Sequence, residues 1–342
     1  MNISQNVSLA GYSTMGLGGP AAYLTEVTSR QELQEALAWA KTNQLSTVMI
    51  GGGSNIIWGD KGYPGLVIVG RILGYEVFEE DETNTYLTLG SGEPWDNVVE
   101  RSIAAGLTGI EALSLIPGTV GATPIQNVGA YGQEISQTLT SLEAFDTQTG
   151  SLLNIANGDC GFGYRTSRFK TTDHGRFYIT AVTLHLTKTN PLPPFYSSVQ
   201  EYFEQHSISE RTPAALRQAV IAIRTSKLPD PAIVRNTGSF FANPIINDMQ
   251  LADLTNRFEQ IPYWPIESGG VKLSAAWLIE QVGFKDYHDS ATGMATWPKQ
   301  SLVLINEGAK TTADLMTFKQ KIVDAVQTKF DIILQQEPEL IS

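Results

Sequence analysis

Ile116-Pro-Gly-Thr-Val-Gly-Ala-Thr-Pro-Ile-Gln-Asn-Val-Gly-Ala-Tyr-Gly132 is the stretch on which the reading of this chain turns. Gly118, Gly121, Gly129 and Gly132 punctuate it, and Pro117 and Pro124 fix the backbone between them. Such a run is too apolar for a solvated linker and too rich in helix breakers for a helix. A buried loop of this kind carries backbone N–H groups with no ladder to join, and each needs a partner. Glycine lets those groups come close to an anion or a flat ring. Two readings stand side by side: a loop wrapped around a large phosphorylated cofactor, or a set of tight turns joining strands.

Composition narrows the function classes. The chain has 342 residues, enough for two or three domains with ample core, and 42% of them are apolar. A net charge of −12 argues against nucleic acid or a membrane surface as partner, because neither polyanion attracts an acidic protein. A phosphorylated ligand therefore needs a local cluster of Lys and Arg. Met1–Val7 lacks a basic start and an apolar stretch, so no secretory signal is expected, and no apolar run is long enough for a bilayer. Cys160 is the only cysteine, and His174, His185, His206 and His288 lack ligand spacing. Neither a disulfide nor a metal site is expected, and the compartment expected is the cytoplasm.

Working outward from the loop, the upstream chain alternates strand and helix signals. Ser29-Arg-Gln-Glu32 is a capping-box pattern ahead of Leu33, Ala36, Leu37 and Ala40 at helical spacing. Thr47–Ile50 reads as a strand running straight into Gly51-Gly-Gly-Ser-Asn55, a second candidate phosphate nest with neither a Walker nor a Rossmann signature. Leu66–Val69 and Thr85–Leu89 read as strands, and Pro94 as the opening of a helix with Val98, Val99 and Ile103 on its apolar face. Downstream, Ser141–Asp146, Leu152–Ile155 and Phe177–Leu186 read as strands. Phe162–Lys170 is a basic aromatic patch in an acidic protein. After the boundary signal Pro191–Pro194, Thr212 caps a helix that starts at Pro213 and stops before Lys227. Asn236–Asn243 reads as a Gly/Ser turn among aromatics. Helices are expected near 275–282 and 314–330, with the strand Leu302–Ile305 between them.

Cations cluster in Phe162–Lys170 and Arg224–Lys227, against the overall charge. Arg suits a carboxylate fork and Lys a phosphate. Ser239 has no histidine or lysine close in sequence, so a hydrolytic triad is unsupported. On residue type alone it is a turn serine. Glu337 and Glu339 would ordinarily be solvated chain ends.

Four motifs in order change that reading: Ile50–Asn55, Ile116–Gly132, Phe162-Gly-Tyr-Arg-Thr-Ser-Arg-Phe-Lys170 and Gly238-Ser-Phe-Phe-Ala-Asn-Pro244. Together they resemble the UDP-N-acetylenolpyruvoylglucosamine reductase (MurB) family, over nearly the whole chain. The resemblance implies an α+β architecture: a vanillyl-alcohol-oxidase/PCMH-type FAD-binding domain over 1–190, split near 70, then a MurB-type C-terminal α+β substrate domain over 191–342 whose tail returns to the active site. It implies non-covalent FAD held by Gly51, Gly52, Gly53, Ser54, Asn55, Pro117, Gly118, Gly121, Ala122, Thr123, Gln126, Asn127 and Gly129. NADPH would be the co-substrate, and the reaction the reduction of UDP-N-acetylglucosamine enolpyruvate in peptidoglycan precursor synthesis.

By the same resemblance Arg165 carries the charge of the reacting group and Ser239 gives the proton. The late glutamate falls on Glu337, although Pro338 follows it where the family has a branched aliphatic residue, and Glu339 is the rival. Tyr131, Tyr196, Lys227, Asn243, Trp264 and Gln300 match substrate contacts, Tyr196 in the loop of one of the family's two classes. One family member taken for comparison has tyrosine where Trp264 stands. The implied partner is a small sugar nucleotide, with no nucleic acid, membrane or obligate protein partner. A flavin oxidase of the same fold is the nearest competitor, but the two glycine loops contain no His or Cys to tether FAD covalently. A non-catalytic sugar-nucleotide sensor is the third reading.

Overall fold

A computed structural model describes residues 1–266 and 269–342. The chain forms two compact units, each drawing on separated segments. The first contains Met1–Val7, Ala21–Gly52 and Pro64–Ser226, and the second contains Ser8–Pro20, Gly53–Tyr63 and Lys227–Ser342. The division thus falls at Ser226/Lys227 and not at 190/191. The physical reason is that helices Ser197–Gln205 and Pro213–Lys227 bury Val199, Phe203, Leu216 and Val220 together with Ala112, a first-unit residue.

In the first unit, a four-stranded sheet has the order Ser4–Ser8, Pro20–Val27, Tyr63–Gly70, Thr47–Ile50. Thr47–Ile50 lies parallel to Tyr63–Gly70, with Thr47 opposite Leu66 and Ile50 opposite Val69. The intervening chain must therefore cross back, and it leaves the sheet through Gly51. Helix Arg30–Thr42 covers this sheet with Leu33, Ala36 and Ala40. Its cap is the expected Ser29, whose side chain accepts from the Glu32 N–H at 3.1 Å. The return bond differs from the expected box, because the Glu32 carboxylate accepts from the Thr28 N–H one residue earlier.

A second, antiparallel sheet follows, in the order Ser151–Ala156, Leu139–Asp146, Phe177–Thr187, Asn84–Gly90, Tyr75–Glu80. Helix Trp95–Ala104 packs Trp95, Val98 and Val99 into the same core as Leu87, Leu142 and Val182. The edge strand Tyr75–Glu80 carries no signal in the sequence. It is acidic and mostly exposed, as suits a sheet edge that must not pair with another chain.

Asp146 ends strand Leu139–Asp146 with its side chain fully buried. The Arg176 guanidinium grips it from Nε at 3.0 Å and Nη2 at 2.8 Å, and the Gln148 N–H donates at 2.9 Å. The Arg176 hydrogen bonds, ahead of all other causes, hold this carboxyl well below the usual carboxylate range. A carboxyl with a depressed folded-state pKa stabilises fully above its unfolded value of about 4, and the contribution is lost as pH falls through the folded value. Asp146→Asn is therefore expected to lower the thermal midpoint by several degrees at pH 7. The gap from the parent should narrow as the pH drops below about 4. Thermal melts across a pH series check both the sign and the window.

The second unit has an antiparallel sheet in the order Asn236–Ser239, Gln300–Asn306, Met294–Trp297, His288–Asp289. A three-stranded sheet (Ile245–Ile246, Val271–Leu273, Tyr263–Pro265) stands beside it in the same unit. Helices Ala275–Gln281 and Thr312–Phe330 share one core with Phe240, Phe241 and Leu304. Asn236–Ser239 is an edge strand and not a free turn. The turn chemistry is nevertheless present: Gly238 has φ +71° and the register slips between Asn236 and Ser239, a bulge in the edge strand.

Candidate active site

The central loop is pinned at its start by strand-like contacts. Trp95 N–H donates to the Gly118 carbonyl at 3.0 Å, Val120 N–H to Glu93 at 3.0 Å, and Gly121 N–H to Ser91 at 2.9 Å. Gly51 and Gly52 lie against the same segment. A Cβ on Gly52 would sit 3.0 Å from the Gly118 Cα, and one on Gly51 would run into the Thr119 hydroxyl. Among the described residues, the N–H groups of Gly51, Gly52 and Gly118 donate to no backbone carbonyl. Ser91, 3% exposed, has a buried hydroxyl without a partner among the described residues. Two bare-backbone loops side by side, with free N–H groups and an orphan hydroxyl, form a donor set suited to a phosphate-bearing group such as FAD. Ser91 is one residue the sequence reading missed, since an isolated serine after a strand carries no pattern.

The loop's second half turns through left-handed residues. Asn127 and Tyr131 both have φ of 48°, and Leu115, just ahead of the loop, has φ of 58°. Asn127, which the resemblance puts among the FAD contacts, is 1% exposed and spends its carboxamide inside the chain, so its side chain is not available to the cofactor. Its Nδ2 donates to Glu134 Oε2 at 2.7 Å and to the Gly163 carbonyl at 3.1 Å, and its Oδ1 accepts from the Ser136 N–H at 3.1 Å. Gly129 and Ala130 pair with Glu134 and Gln133 in a small hairpin. Thr123 is buried and caps its own turn by donating to Val120 at 2.8 Å.

Arg165 belongs to the tight turn Gly163–Thr166, closed by mutual bonds of 3.1 and 3.2 Å between Gly163 and Thr166. Its φ of 54° is left-handed, which L side chains rarely adopt. The guanidinium Nη2 donates to the Gly129 carbonyl at 2.6 Å. Two residues on, the buried Ser167 hydroxyl donates to Ile125 at 2.6 Å. The Gly-Tyr-Arg segment is thus laced to the central loop at Ile125, Asn127 and Gly129.

Tyr131 and Tyr196 meet edge to face with ring centroids 5.7 Å apart. Burial pushes the Tyr131 hydroxyl up and the Arg224 guanidinium down. Arg224 donates from Nη2 to the Leu115 carbonyl at 3.2 Å, and its Nε has no partner among the described residues.

The remaining sequence-derived residues lie in the second unit. Gly53, Ser54 and Asn55 part from Gly51 and Gly52 there, and Gly53 accepts from the Thr14 N–H at 3.1 Å. Ser239 follows the bulge, opposite Val303. The tail runs beside it: Ala242 N–H donates to Gln335 at 3.0 Å, and Glu337 N–H to Phe240 at 2.9 Å. The Glu337 backbone is thus tied to the residue that follows Ser239. Glu339 instead donates its N–H to Asn55 at 3.0 Å, within the parallel pairing of Glu339–Ile341 with Ile56–Trp58.

Lys227 and Gln300 converge on Trp297, which the sequence reading did not single out. Trp297 Nε1 donates to the Lys227 carbonyl at 3.0 Å, and Trp297 pairs with Gln300 across the strand turn. Asn243 Oδ1 accepts from the Ala275 N–H at 3.0 Å, which fixes its amide at the start of helix Ala275–Gln281. Trp264, 43% exposed, lies opposite Lys272, with Ile245 on the other side of that lysine. Arg165 sits in the first unit, Ser239 and Glu337 in the second. No described helix is long and apolar enough to cross a membrane.

Comparison with known proteins gives two family matches. Residues 20–156 match an FAD binding domain, and residues 230–341 match the UDP-N-acetylenolpyruvoylglucosamine reductase C-terminal domain. The UDP-N-acetylenolpyruvoylglucosamine reductase of Amoebophilus asiaticus is 39% identical over 341 residues, covering 100% of both chains. That of Chromobacterium violaceum is 37% identical over 337 residues, covering 98% of each. Among solved structures, the MurB crystal structure from Thermus caldophilus aligns over 100% of this chain and 98% of its own with a TM-score of 0.68, at 22% identity.

Proposed function

The chain belongs to the UDP-N-acetylenolpyruvoylglucosamine reductase family, and from that premise we propose residue roles for the reaction its relatives are named for. It is an FAD- and NADPH-dependent oxidoreductase that reduces UDP-N-acetylglucosamine enolpyruvate in peptidoglycan precursor synthesis. We assign FAD to the paired loops, with Gly51, Gly52, Gly53, Ser54 and Asn55 on one side. Pro117, Gly118, Gly121, Ala122, Thr123, Gln126 and Gly129 form the other. Among the described residues the N–H groups of Gly51, Gly52 and Gly118 donate to no backbone carbonyl, which supports this.

Bound FAD, reduced by NADPH, supplies the hydride for the enolpyruvyl double bond. Hydride addition leaves negative charge on the carbon next to the carboxylate, and that dianion needs cationic and hydrogen-bonding partners. Arg165 offsets it. Ser239 then donates its hydroxyl proton to the carbon, and Glu337 orients the reacting group. Serine is a weak acid, but an enolate-like dianion is a strong base, so the transfer is feasible in a dry site. Tyr131, Tyr196, Lys227, Asn243, Trp264 and Gln300 hold the sugar nucleotide, with Lys227 as point charge for its diphosphate.

The observation that carries the choice of Glu337 over Glu339 is its backbone bond to Phe240, directly after Ser239. The whole reading is tested with purified holoenzyme in two additions. NADPH is expected to bleach the flavin absorbance, and the enolpyruvyl sugar nucleotide to restore it without oxygen. Recovery that requires oxygen instead would identify an oxidase.

A further inference from the structure

We infer that Asn127 is a positioning residue for Arg165, holding the Gly163–Thr166 turn against the Gly129 hairpin so that the guanidinium is aimed before substrate arrives. This rests on the reading of Arg165 as partner of the substrate carboxylate. Arg165 is seated by two pieces of backbone. One is its own turn, which keeps it in the left-handed region at φ 54°. The other is the Gly129–Glu134 hairpin, whose Gly129 carbonyl takes the Arg165 Nη2 hydrogen at 2.6 Å. Neither piece is long, and the two are distant in sequence.

The Asn127 carboxamide bridges them. One N–H goes to the Gly163 carbonyl, where the arginine turn begins, and the other to Glu134 Oε2, opposite Gly129 in the hairpin. Its Oδ1 takes the Ser136 N–H just beyond the hairpin. The orientation of the amide is unambiguous, since Nδ2 faces two acceptors and Oδ1 faces a donor. With both donors and its oxygen engaged, and 1% of the residue exposed, this side chain is committed to the scaffold. Glycine at 129 completes the seat: a Cβ there would lie 2.8 Å from Glu134 Cγ and 3.0 Å from Arg165 Nη1. A left-handed residue costs free energy that surrounding bonds must offset, and Asn127 supplies one such bond to the Arg165 turn.

The experiment compares binding of two ligands to oxidised holoenzyme by calorimetry: the enolpyruvyl sugar nucleotide, and UDP-N-acetylglucosamine, which lacks the carboxylate. Asn127→Asp keeps the acceptor for Ser136 and removes both donors, and aspartate tolerates the left-handed backbone. The variant is expected to retain flavin and parental affinity for UDP-N-acetylglucosamine, while binding the enolpyruvyl ligand about tenfold more weakly, the scale of one charge-assisted hydrogen bond. Equal weakening of both ligands, unchanged affinity for both, or loss of flavin overturns the inference. If Asn127→Asp yields no folded holoenzyme, Asn127→Gly, which fits φ 48° without strain, is measured in the same way with the same outcomes. Arg165→Ala separates the two levels. Should it keep the parental preference for the carboxylate ligand, the reading of Arg165 falls and this inference with it. Should it lose that preference while Asn127→Asp keeps it, only the inference falls.

Discussion

Ser239→Ala is expected to leave flavin reduction by NADPH at the parental rate and to slow flavin reoxidation by the enolpyruvyl sugar nucleotide by about 10²–10⁴-fold, the usual worth of a positioned proton donor. The separation follows from when the hydroxyl acts. NADPH gives up a hydride and needs no proton from the protein, whereas the reduced alkene needs one. The placement suits a donor: Ser239 follows a bulge in an edge strand, and the next residue, Phe240, binds the Glu337 backbone. Stopped-flow absorbance on each half-reaction decides the matter. If both slow equally, Ser239 has no role as proton donor and acts on the flavin site as a whole. Ser239→Cys, a smaller chemical change, should recover part of the reoxidation rate.

Arg165→Gly carries the second large effect, and it acts in opposite directions on activity and backbone strain. Loss of the guanidinium removes the cation that offsets charge developing on the substrate, worth about 10²–10³-fold in turnover by analogy with other oxyanion donors. Glycine, however, adopts φ 54° freely, while any L residue there pays for the left-handed backbone. Arg165→Gly should therefore be more stable than Arg165→Ala by about 1 kcal/mol, although both lose turnover to a similar extent and both keep flavin. Paired thermal melts and reoxidation rates test this. A glycine variant less stable than the alanine variant would mean that the turn is unstrained. Loss of flavin from both would make Arg165 a structural support of the cofactor loop.

Much of the local architecture is legible in the residues because it depends on neighbours in sequence. Thr212 and Pro213 start their helix as read, with the Ala215 N–H donating to the Thr212 hydroxyl at 3.1 Å. Thr47–Ile50 is the strand expected, and Leu302–Ile305 lies inside strand Gln300–Asn306. Tyr75–Glu80 was invisible because an acidic edge strand has no apolar alternation, and only pairing with Asn84–Gly90 makes it a strand. Gly238 and Ser239 make Asn236–Asn243 read as a turn among aromatics, whereas pairing with Gln300–Asn306 holds Asn236–Ser239 in the sheet and turns the glycine into a bulge.

The sequence by itself determined the family, the glycine-lined loops and the chemical types at the site, because those lie in contiguous motifs. The tertiary structure decided which groups share a neighbourhood. It tied the Glu337 backbone to Phe240 and the Glu339 backbone to Asn55, although only Pro338 separates the two glutamates. It also engaged both donors of Asn127 with Glu134 and Gly163. Each of these rests on hydrogen bonds between residues far apart in the chain or on a one-residue choice of register. A motif fixes which donors and acceptors exist, but their partners are fixed only when folding brings distant backbone into reach.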